Sequence, residues 1–399
     1  MTHAQSRTLH VLMISDVYFP RINGVSTSIE TFRSDLADHG IDVTLIAPAY
    51  PEHEEGQQIH RVRSWRLPFD PEDRLMSWPE LVQVARTLGK TKPIDMVHVQ
   101  TPFAAHYAGT RLVRELGLPL LATYHTHFEE YFHHYLPLLP RPWLQRAARS
   151  LVRRQCAAYD AIVVPSHAMR KTLGGYGVQQ PMHILPTGIP IAMFEGGRRN
   201  VFRQRHGIGA ERKVALFVGR VAHEKNIGFL LDAALHARQL LPEFLLVVAG
   251  DGPALGDLRR RVRAEGLEAH VQFIGYLDRH AELADCYAAA DVFAFASKTE
   301  TQGLVLLEAM AAGLPVYALS VLGTRDILES QRGAVIAADD SQAFARGLAE
   351  LLQDEPKRRT LSDAARSWAA EWSAPERARQ LACLYRTLQR PAPGISVSH

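Results

Sequence analysis

Short apolar runs alternate with helical segments along most of this chain, and the pattern begins afresh past the middle. LHVLMIS is followed by the helical stretch GVSTSIETFRSDLADHG, closed at Gly40, and then by the apolar run DVTLIAP. MVHVQ, PLLATYH and AIVVPS come next, with HYAGTRLVRELG and LQRAARSLVRRQCAAY as the helical segments around them. The second series opens at VALFVGR (Val214–Arg220). It continues NIGFLLDAALHARQ, LLVVAGDGP, ALGDLRRRVRAEG, VQFIGY, HAELADCYAAA and DVFAFAS. Apolar runs bounded by polar residues predict buried strands, and strands separated by helices predict parallel sheets in doubly wound domains. The expected fold class is therefore α/β. At 399 residues the chain exceeds one ordinary core, and the Pro- and Gly-rich stretch PTGIPIAMFEGGRRN (Pro186–Asn200) places the joint between two domains.

Charge and cysteine content narrow the function classes. The net charge is only +3, with 22% charged and 47% hydrophobic residues, as in an ordinary globular protein. No apolar segment reaches membrane-spanning length, and the first sixteen residues, MTHAQSRTLHVLMISD, lack a signal-peptide layout. Cys156, Cys286 and Cys383 are few and far apart, which argues for a reducing, cytoplasmic compartment and against disulfides or a zinc knuckle. The charge is uneven, however. Between Tyr131 and Gln180 seven cations face Asp160 alone, an excess of six. Arg146, Arg149 and Arg153 recur at three- and four-residue spacing, so one helix face is basic, and Trp143 precedes them. Such a stripe beside aromatic and leucine residues suits an anionic bilayer, at about 1 kcal/mol per close cation. No interleaved pattern of basic and aromatic residues points to nucleic acid.

Several candidate sites fall after strands, where open parallel sheets bind ligands. In SKTETQGLVLLEAMAAGLPV (Ser297–Val316) a strand passes through a polar loop to Gly303 and then to a helix that stops at Gly313. The amides of Gly303, Leu304 and Val305 open that helix, where an anion such as phosphate is attracted. Glu300 lies in the loop and Glu308 inside the helix, and carboxylates bond strongly to sugar hydroxyls. GRVAHEKN carries Arg220 and Lys225 between strand and helix, two cations suited to a pyrophosphate. AGDGP makes a tight turn after a strand, and Gly24 opens the first helix after DVYFPRIN. HTHFEEYFHHY holds four histidines and two glutamates, but no histidine pair has helical i, i+4 metal spacing, and the chain has no Asp-x-Asp. No metal site is expected. His125, at a strand end, is expected to donate to substrate.

GRVAHEKN, AGDGP and SKTETQGLVLLEAMAAGLPV, in this order and with Glu300 and Glu308 in a Glu-x7-Glu spacing, resemble the retaining glycosyltransferases of family 4. The resemblance covers most of the chain, including DVYFPRINGVSTSI and YHTHFEEYFHHY. TETQG, NGVSTSI and HTHFEEYFHHYLP before a basic helix are more narrowly similar to diacylglycerol glucosyltransferases, and lipid-directed α-mannosyltransferases share much of this. The resemblance implies a GT-B fold, two Rossmann-like domains facing across a cleft. Residues 1–190 would bind the acceptor and residues 191–375 the nucleotide-sugar, and a helix over residues 376–391 would cross back to the first domain. It implies roles as well. Arg220 and Lys225 would grip the donor diphosphate, Glu300 the transferred sugar and Glu308 the ribose. Gly303, Leu304 and Val305 would offer amides, Gly24 would approach the diphosphate, and His125 would sit near the reacting carbon. Glu129, Tyr131 and His134 would contact the acceptor, with Glu129 a weaker alternative to a donor phosphate oxygen as base. The donor, UDP-glucose ahead of GDP-mannose, is a co-substrate, and no cofactor is implied. The expected partners are the nucleotide-sugar, a lipid acceptor and the anionic inner face of the cell membrane, without nucleic acid. A soluble or cell-wall acceptor, and a nucleotide-binding module without transferase activity, are the competing expectations.

Overall fold

The computed structural model describes residues 7–51, 56–66, 74–125, 141–279 and 281–389, with side chains of the helix Arg141–Cys156 described from residue 145 onward. The chain forms two compact units. One comprises Met1–Gly188 together with Ala374–His399, and the other Ile189–Ser373.

The first unit is built on β1 (Leu9–Ile14), β2 (Ile41–Pro48), β3 (Ile59–Val62), the hairpin β4 (Ser64–Arg66) and β5 (Arg74–Met76), β6 (Met96–Val99), β7 (Leu120–Thr123), β8 (Ala161–Val164) and β9 (Met182–Ile184). Seven of these make a parallel sheet in the order β3-β2-β1-β6-β7-β8-β9, while β4 and β5 pair antiparallel beside it. Every residue of β1 is buried because helices cover both faces, which is why the run LHVLMI shows no polar alternation. Its side chains still alternate between two cores. Leu12 and Ile14 join Val97, Val99, Ile162 and Val164, whereas Leu9, Val11 and Met13 join Val43, Leu45 and Leu121.

The second core is completed from the far end of the chain. The helix Ala374–Leu388 supplies Ala378, Leu381, Ala382, Leu384 and Tyr385 to the face that carries Val11 and Met13. Tyr385 is fully buried, and its hydroxyl lies 2.7 Å from Nδ1 of the buried His98 on β6. Nε2 of His98 meets Oγ1 of Thr123 on β7 at 2.7 Å, so both ring nitrogens are engaged.

The second unit contains β10 (Lys213–Val218), β11 (Phe244–Ala249), β12 (Val271–Gly275), β13 (Val292–Phe295), β14 (Val316–Ala318) and β15 (Ala334–Ile336), all parallel in the order β12-β11-β10-β13-β14-β15. The helix Leu304–Ala311 buries Leu306 through Ala311 without interruption. A helix apolar on all sides belongs in an interior, and this one packs against the helix Glu355–Ala370.

The expected elements occur with shifted ends. The helix expected to run to Gly40 becomes a 3-10 turn after Leu36, and Gly40, at φ +68°, closes it in the left-handed region. The residue pattern predicts none of β3, β4, β5, β9, β14 and β15: with three or four residues each they carry little periodic signal.

Two outcomes follow from the buried histidines. Tyr385→Phe removes only a hydroxyl but strands His98 Nδ1, so we expect a loss of about 1–3 kcal/mol in urea melts. Burial holds His98 down to about 3 and His106, whose Nδ1 meets the Tyr159 hydroxyl at 2.7 Å, down to about 4. The unfolded chain takes up these protons below about pH 6.5 while the folded chain does not, so stability must fall with pH, by roughly 1.4 kcal/mol per pH unit per histidine. A urea midpoint unchanged between pH 7 and 4.5 would contradict this assignment.

Candidate active site

In each sheet two neighbouring strands send their following helices to opposite faces, and the loops at their carboxyl ends part. In the second unit the two strands are β10 and β13. The loop after β10 runs from Gly219 through Arg220 to a 3-10 turn at His223–Lys225. Asn226, at φ +55°, then turns the chain into the helix Ile227–Leu240. Asn226 Nδ2 donates to the Ala296 carbonyl at 3.1 Å, and Thr299 Oγ1 donates to the Glu224 carbonyl at 3.3 Å, so the two loops are joined. Across the same junction Lys225 Nζ donates to Glu300 Oε1 at 2.6 Å, the side chains being 24% and 15% exposed. That pair is too shaded for free screening by water yet open enough to exchange partners. Arg220, half-buried, has its Nη1 3.9 Å from Glu224 Oε1.

Glycines make this junction possible. A Cβ at Gly250, where φ is +138°, would lie 1.9 Å from the Gly219 carbonyl oxygen, and one at Gly252 would lie 2.5 Å from that of Val221. The turn after β11 therefore presses backbone to backbone on the Arg220 loop, with Val221 N donating to the Asp251 carbonyl at 2.8 Å. Gly303, at φ +95°, starts the helix Leu304–Ala311 with no side-chain cap. The first amides of any helix lack intrahelical acceptors and form its positive end, and here they belong to Leu304 and Val305. The loop before them is braced from below, because Gly323 N donates to the Glu300 carbonyl at 2.9 Å.

Glu308 sits deeper than Glu300, with its side chain 4% exposed. Arg279 Nη2 donates to its Oε1 at 2.7 Å, and the Tyr287 hydroxyl donates to its Oε2 at 3.0 Å. Burial, and then the adjacent Glu308 carboxylate, push the Tyr287 phenol well above its ordinary range, so it remains a proton donor.

The first unit parts its loops between β1 and β6. After β1, Asn23 caps the helix Gly24–Leu36 through Val25 N and Ser26 N. Gly24 is first in that helix, and an added Cβ there would meet nothing within 4 Å, so packing within the chain does not demand a glycine. Asp16 ties the two loops together. Its carboxylate accepts from the Thr101 hydroxyl at 2.6 Å and from Ala105 N at 3.2 Å, while burial raises its pKa. After β7, His125 Nε2 donates to Oε1 of Gln100, the residue after β6, at 2.9 Å. Burial lowers the His125 pKa to about 4, so at neutral pH the ring is uncharged and acts through hydrogen bonds. Gln100, His125, Tyr124, Gln155 and Tyr159 line a small cavity of about 30 Å³.

Of the other anticipated residues, Glu129, Tyr131 and His134 lie outside the described residues, as does the side chain of Trp143. Arg146, Arg149 and Arg153 are exposed on one face of the helix Arg141–Cys156, while Ala148 and Val152 on the other are buried. Arg149 lies over the Tyr176 ring at 5.5 Å. Among the described residues no cluster of His, Cys, Asp and Glu is arranged to hold a metal ion, and no helix is long and apolar enough to cross a membrane. Sequence reasoning did not single out Gln100, Asn226, Arg279 or Tyr287. Gln100 was hidden as the last residue of an apolar run, and only the strand order reveals that it stands where the loops part.

Comparison with known proteins agrees with this geometry. Residues 22–192 match the family described as Glycosyltransferase Family 4, and residues 198–368 match Glycosyl transferases group 1. The chain is 33% identical over 323 residues to the alpha-monoglucosyldiacylglycerol synthase of Streptococcus pneumoniae, covering 78% of this chain and 71% of that protein. It is 29% identical over 338 residues to a GDP-mannose-dependent alpha-mannosyltransferase of Mycobacterium tuberculosis, covering 82% and 83%. Among solved structures, Anabaena Alr3699/HepE in complex with UDP superposes with a TM-score of 0.75 at 17% identity, covering 95% of this chain and all of that one. Two parallel Rossmann-like sheets, the parted loops that carry Lys225 and Glu300, and these matches together make the chain a glycosyltransferase of family 4 with the GT-B fold.

Proposed function

We propose that this glycosyltransferase moves a hexose, with glucose favoured, from a nucleotide-sugar to a membrane lipid, diacylglycerol being the favoured acceptor, and gives an α-glycolipid with retained anomeric configuration. The observation that carries the reading is the Lys225–Glu300 pair at 2.6 Å where the loops of the second unit part, next to the amides of Leu304 and Val305. A cation, uncapped helix amides and a carboxylate within one pair of loops suit a ligand in which a diphosphate joins two sugars. The lipid acceptor is supported by the name of the pneumococcal relative, a monoglucosyldiacylglycerol synthase.

In this reading Glu300 accepts hydrogen bonds from hydroxyls of the transferred hexose and Glu308 from those of the ribose. Lys225 and Arg220 lie along the diphosphate. As the anomeric carbon–oxygen bond to the diphosphate breaks, its electron pair stays on the phosphate oxygen. Fixed positive charge stabilises that oxygen, at about 3 kcal/mol per well-placed donor group. The acceptor hydroxyl forms its bond to the anomeric carbon on the face the nucleotide leaves, and its proton passes to a phosphate oxygen of the departing diphosphate. No bound metal takes part, because Arg220, Lys225 and the helix amides supply the positive charge. His125, uncharged, is left to act on a substrate through hydrogen bonds, and Gly24 leaves room for close approach of a ligand to its helix end. The exposed stripe Arg146, Arg149 and Arg153 holds the protein to the anionic inner leaflet. Because the mycobacterial relative is named for GDP-mannose, transfer of mannose to a glycolipid is the second reading.

Incubating the protein with diacylglycerol and labelled UDP-glucose or GDP-mannose, and weighing the lipid product, tests both readings. We expect Glu300→Ala and Lys225→Ala each to lower turnover by about 100-fold or more while circular dichroism stays native. Turnover near that of the wild type in either variant removes that residue from the site. Arg146, Arg149 and Arg153 changed together to Gln should abolish sedimentation with phosphatidylglycerol vesicles at low salt. Sedimentation equal to the wild type would show that the stripe is only solvated.

A further inference from the structure

Glu308 is nearly sealed from water, and burying a carboxylate without a cation costs several kcal/mol. The cation here is Arg279, which stands in the loop after β12, not in either of the parted loops. Its side chain is 16% exposed, and its guanidinium carbon lies 5.8 Å from the centroid of the Phe194 ring. Phe194 in turn meets Tyr287 edge-on at 5.9 Å, and Tyr287, fully buried, donates to the other oxygen of Glu308. Arg279 and Tyr287 thus grip one carboxylate oxygen each, and Phe194 backs both of the groups that grip it.

A carboxylate offers about four lone-pair positions. The two bonds described take one on each oxygen and leave a matched second pair on the same group. A vicinal diol, such as the 2′- and 3′-hydroxyls of a ribose, presents two donors with the spacing of two carboxylate oxygens. The arrangement therefore leaves Glu308 anchored on two sides, with acceptor capacity for a diol. Without Arg279 the carboxylate would lose the cation paired with it among the described residues and one of the two bonds that fix its plane.

We propose that Arg279 is a positioning residue for donor binding: it holds the Glu308 carboxylate in the orientation from which both oxygens accept the ribose hydroxyls. The proposal rests on the reading that Glu308 binds the ribose. It assigns to the loop after β12 a part in selecting ribonucleotide donors without any contact between Arg279 and the transferred sugar. The effect should fall on affinity for the nucleotide, because the ribose is remote from the bond that breaks.

The full-length protein tests this with Arg279→Gln, Arg279→Lys, Tyr287→Phe, Glu308→Gln and the double variant Arg279→Gln/Glu308→Gln. The readouts are calorimetric titration with UDP and with GDP, and donor KM and kcat in slow hydrolysis of UDP-glucose and GDP-mannose. For whichever nucleotide the wild type binds, Arg279→Gln should weaken Kd and raise KM about tenfold or more, with a smaller fall in kcat. Arg279→Lys should restore most of the affinity, and the double variant should bind no worse than Glu308→Gln alone. If Arg279→Gln fails to fold, Tyr287→Phe carries the same test, with a rise in KM of a few-fold. Unchanged affinity in Arg279→Gln, or losses that multiply in the double variant, would overturn the proposal while leaving the ribose reading intact. Unchanged affinity in Glu308→Gln would overturn that reading and the proposal with it.

Discussion

The right-handed crossover of parallel strands is the constraint on which the rest depends. A strand can be followed by a helix on either face of its sheet, and where the choice reverses, two adjacent loops part at the carboxyl ends. In the order β12-β11-β10-β13-β14-β15 that reversal falls between β10 and β13. Lys225 and Glu300, seventy-five residues apart, are brought to 2.6 Å at that reversal. The reversal between β1 and β6 likewise brings Asp16 to Thr101, and the pairing of β6 with β7 beside it brings Gln100 to His125.

The charged groups at the junction of β10 and β13 are arranged in depth. Lys225 and Glu300, the more exposed pair, face one another from two loops held by Asn226 and Thr299. Glu308, one turn inside the helix, is matched by Arg279 and Tyr287 from other elements. An outer pair with some access to water can give up its partner to an incoming ligand at modest cost, whereas an inner pair shielded from water holds its geometry. The same short stretch thus contains an adaptable carboxylate and a fixed one. Gly250 and Gly252 let main chains approach to distances that any side chain would forbid, and Gly303 supplies the left-handed turn into the helix.

Strands buried on both faces leave long apolar runs, so β1, β10, β11 and β13 are legible from residue order alone. The Glu300–Gly303–Glu308 stretch was legible because a polar loop between apolar elements is conspicuous. Edge strands of three or four residues were not, since such a segment gives too few positions for a period to register. Arg279 is illegible for a different reason. A lone arginine in a turn has no local signature, and only the folding of the loop after β12 toward the helix Leu304–Ala311 gives it a partner. Gln100 likewise acquires meaning through sheet order, which pairwise spacing along the chain does not encode.

The first unit borrows its last helix, Ala374–Leu388, from beyond Ser373. During vectorial synthesis the ribosome therefore releases the strands β1 to β9 well before the segment that shields Val11, Met13 and Leu45. Until Tyr385 emerges, that side of the sheet is covered only by Ile29, Phe32 and Leu36 of the first helix, and Nδ1 of His98 lacks its hydroxyl partner. The second unit needs no such late addition, because its core is drawn from Ile189–Ser373 alone. Completion of the first core thus waits for Ala374–Leu388, although the strands it covers all lie before Gly188.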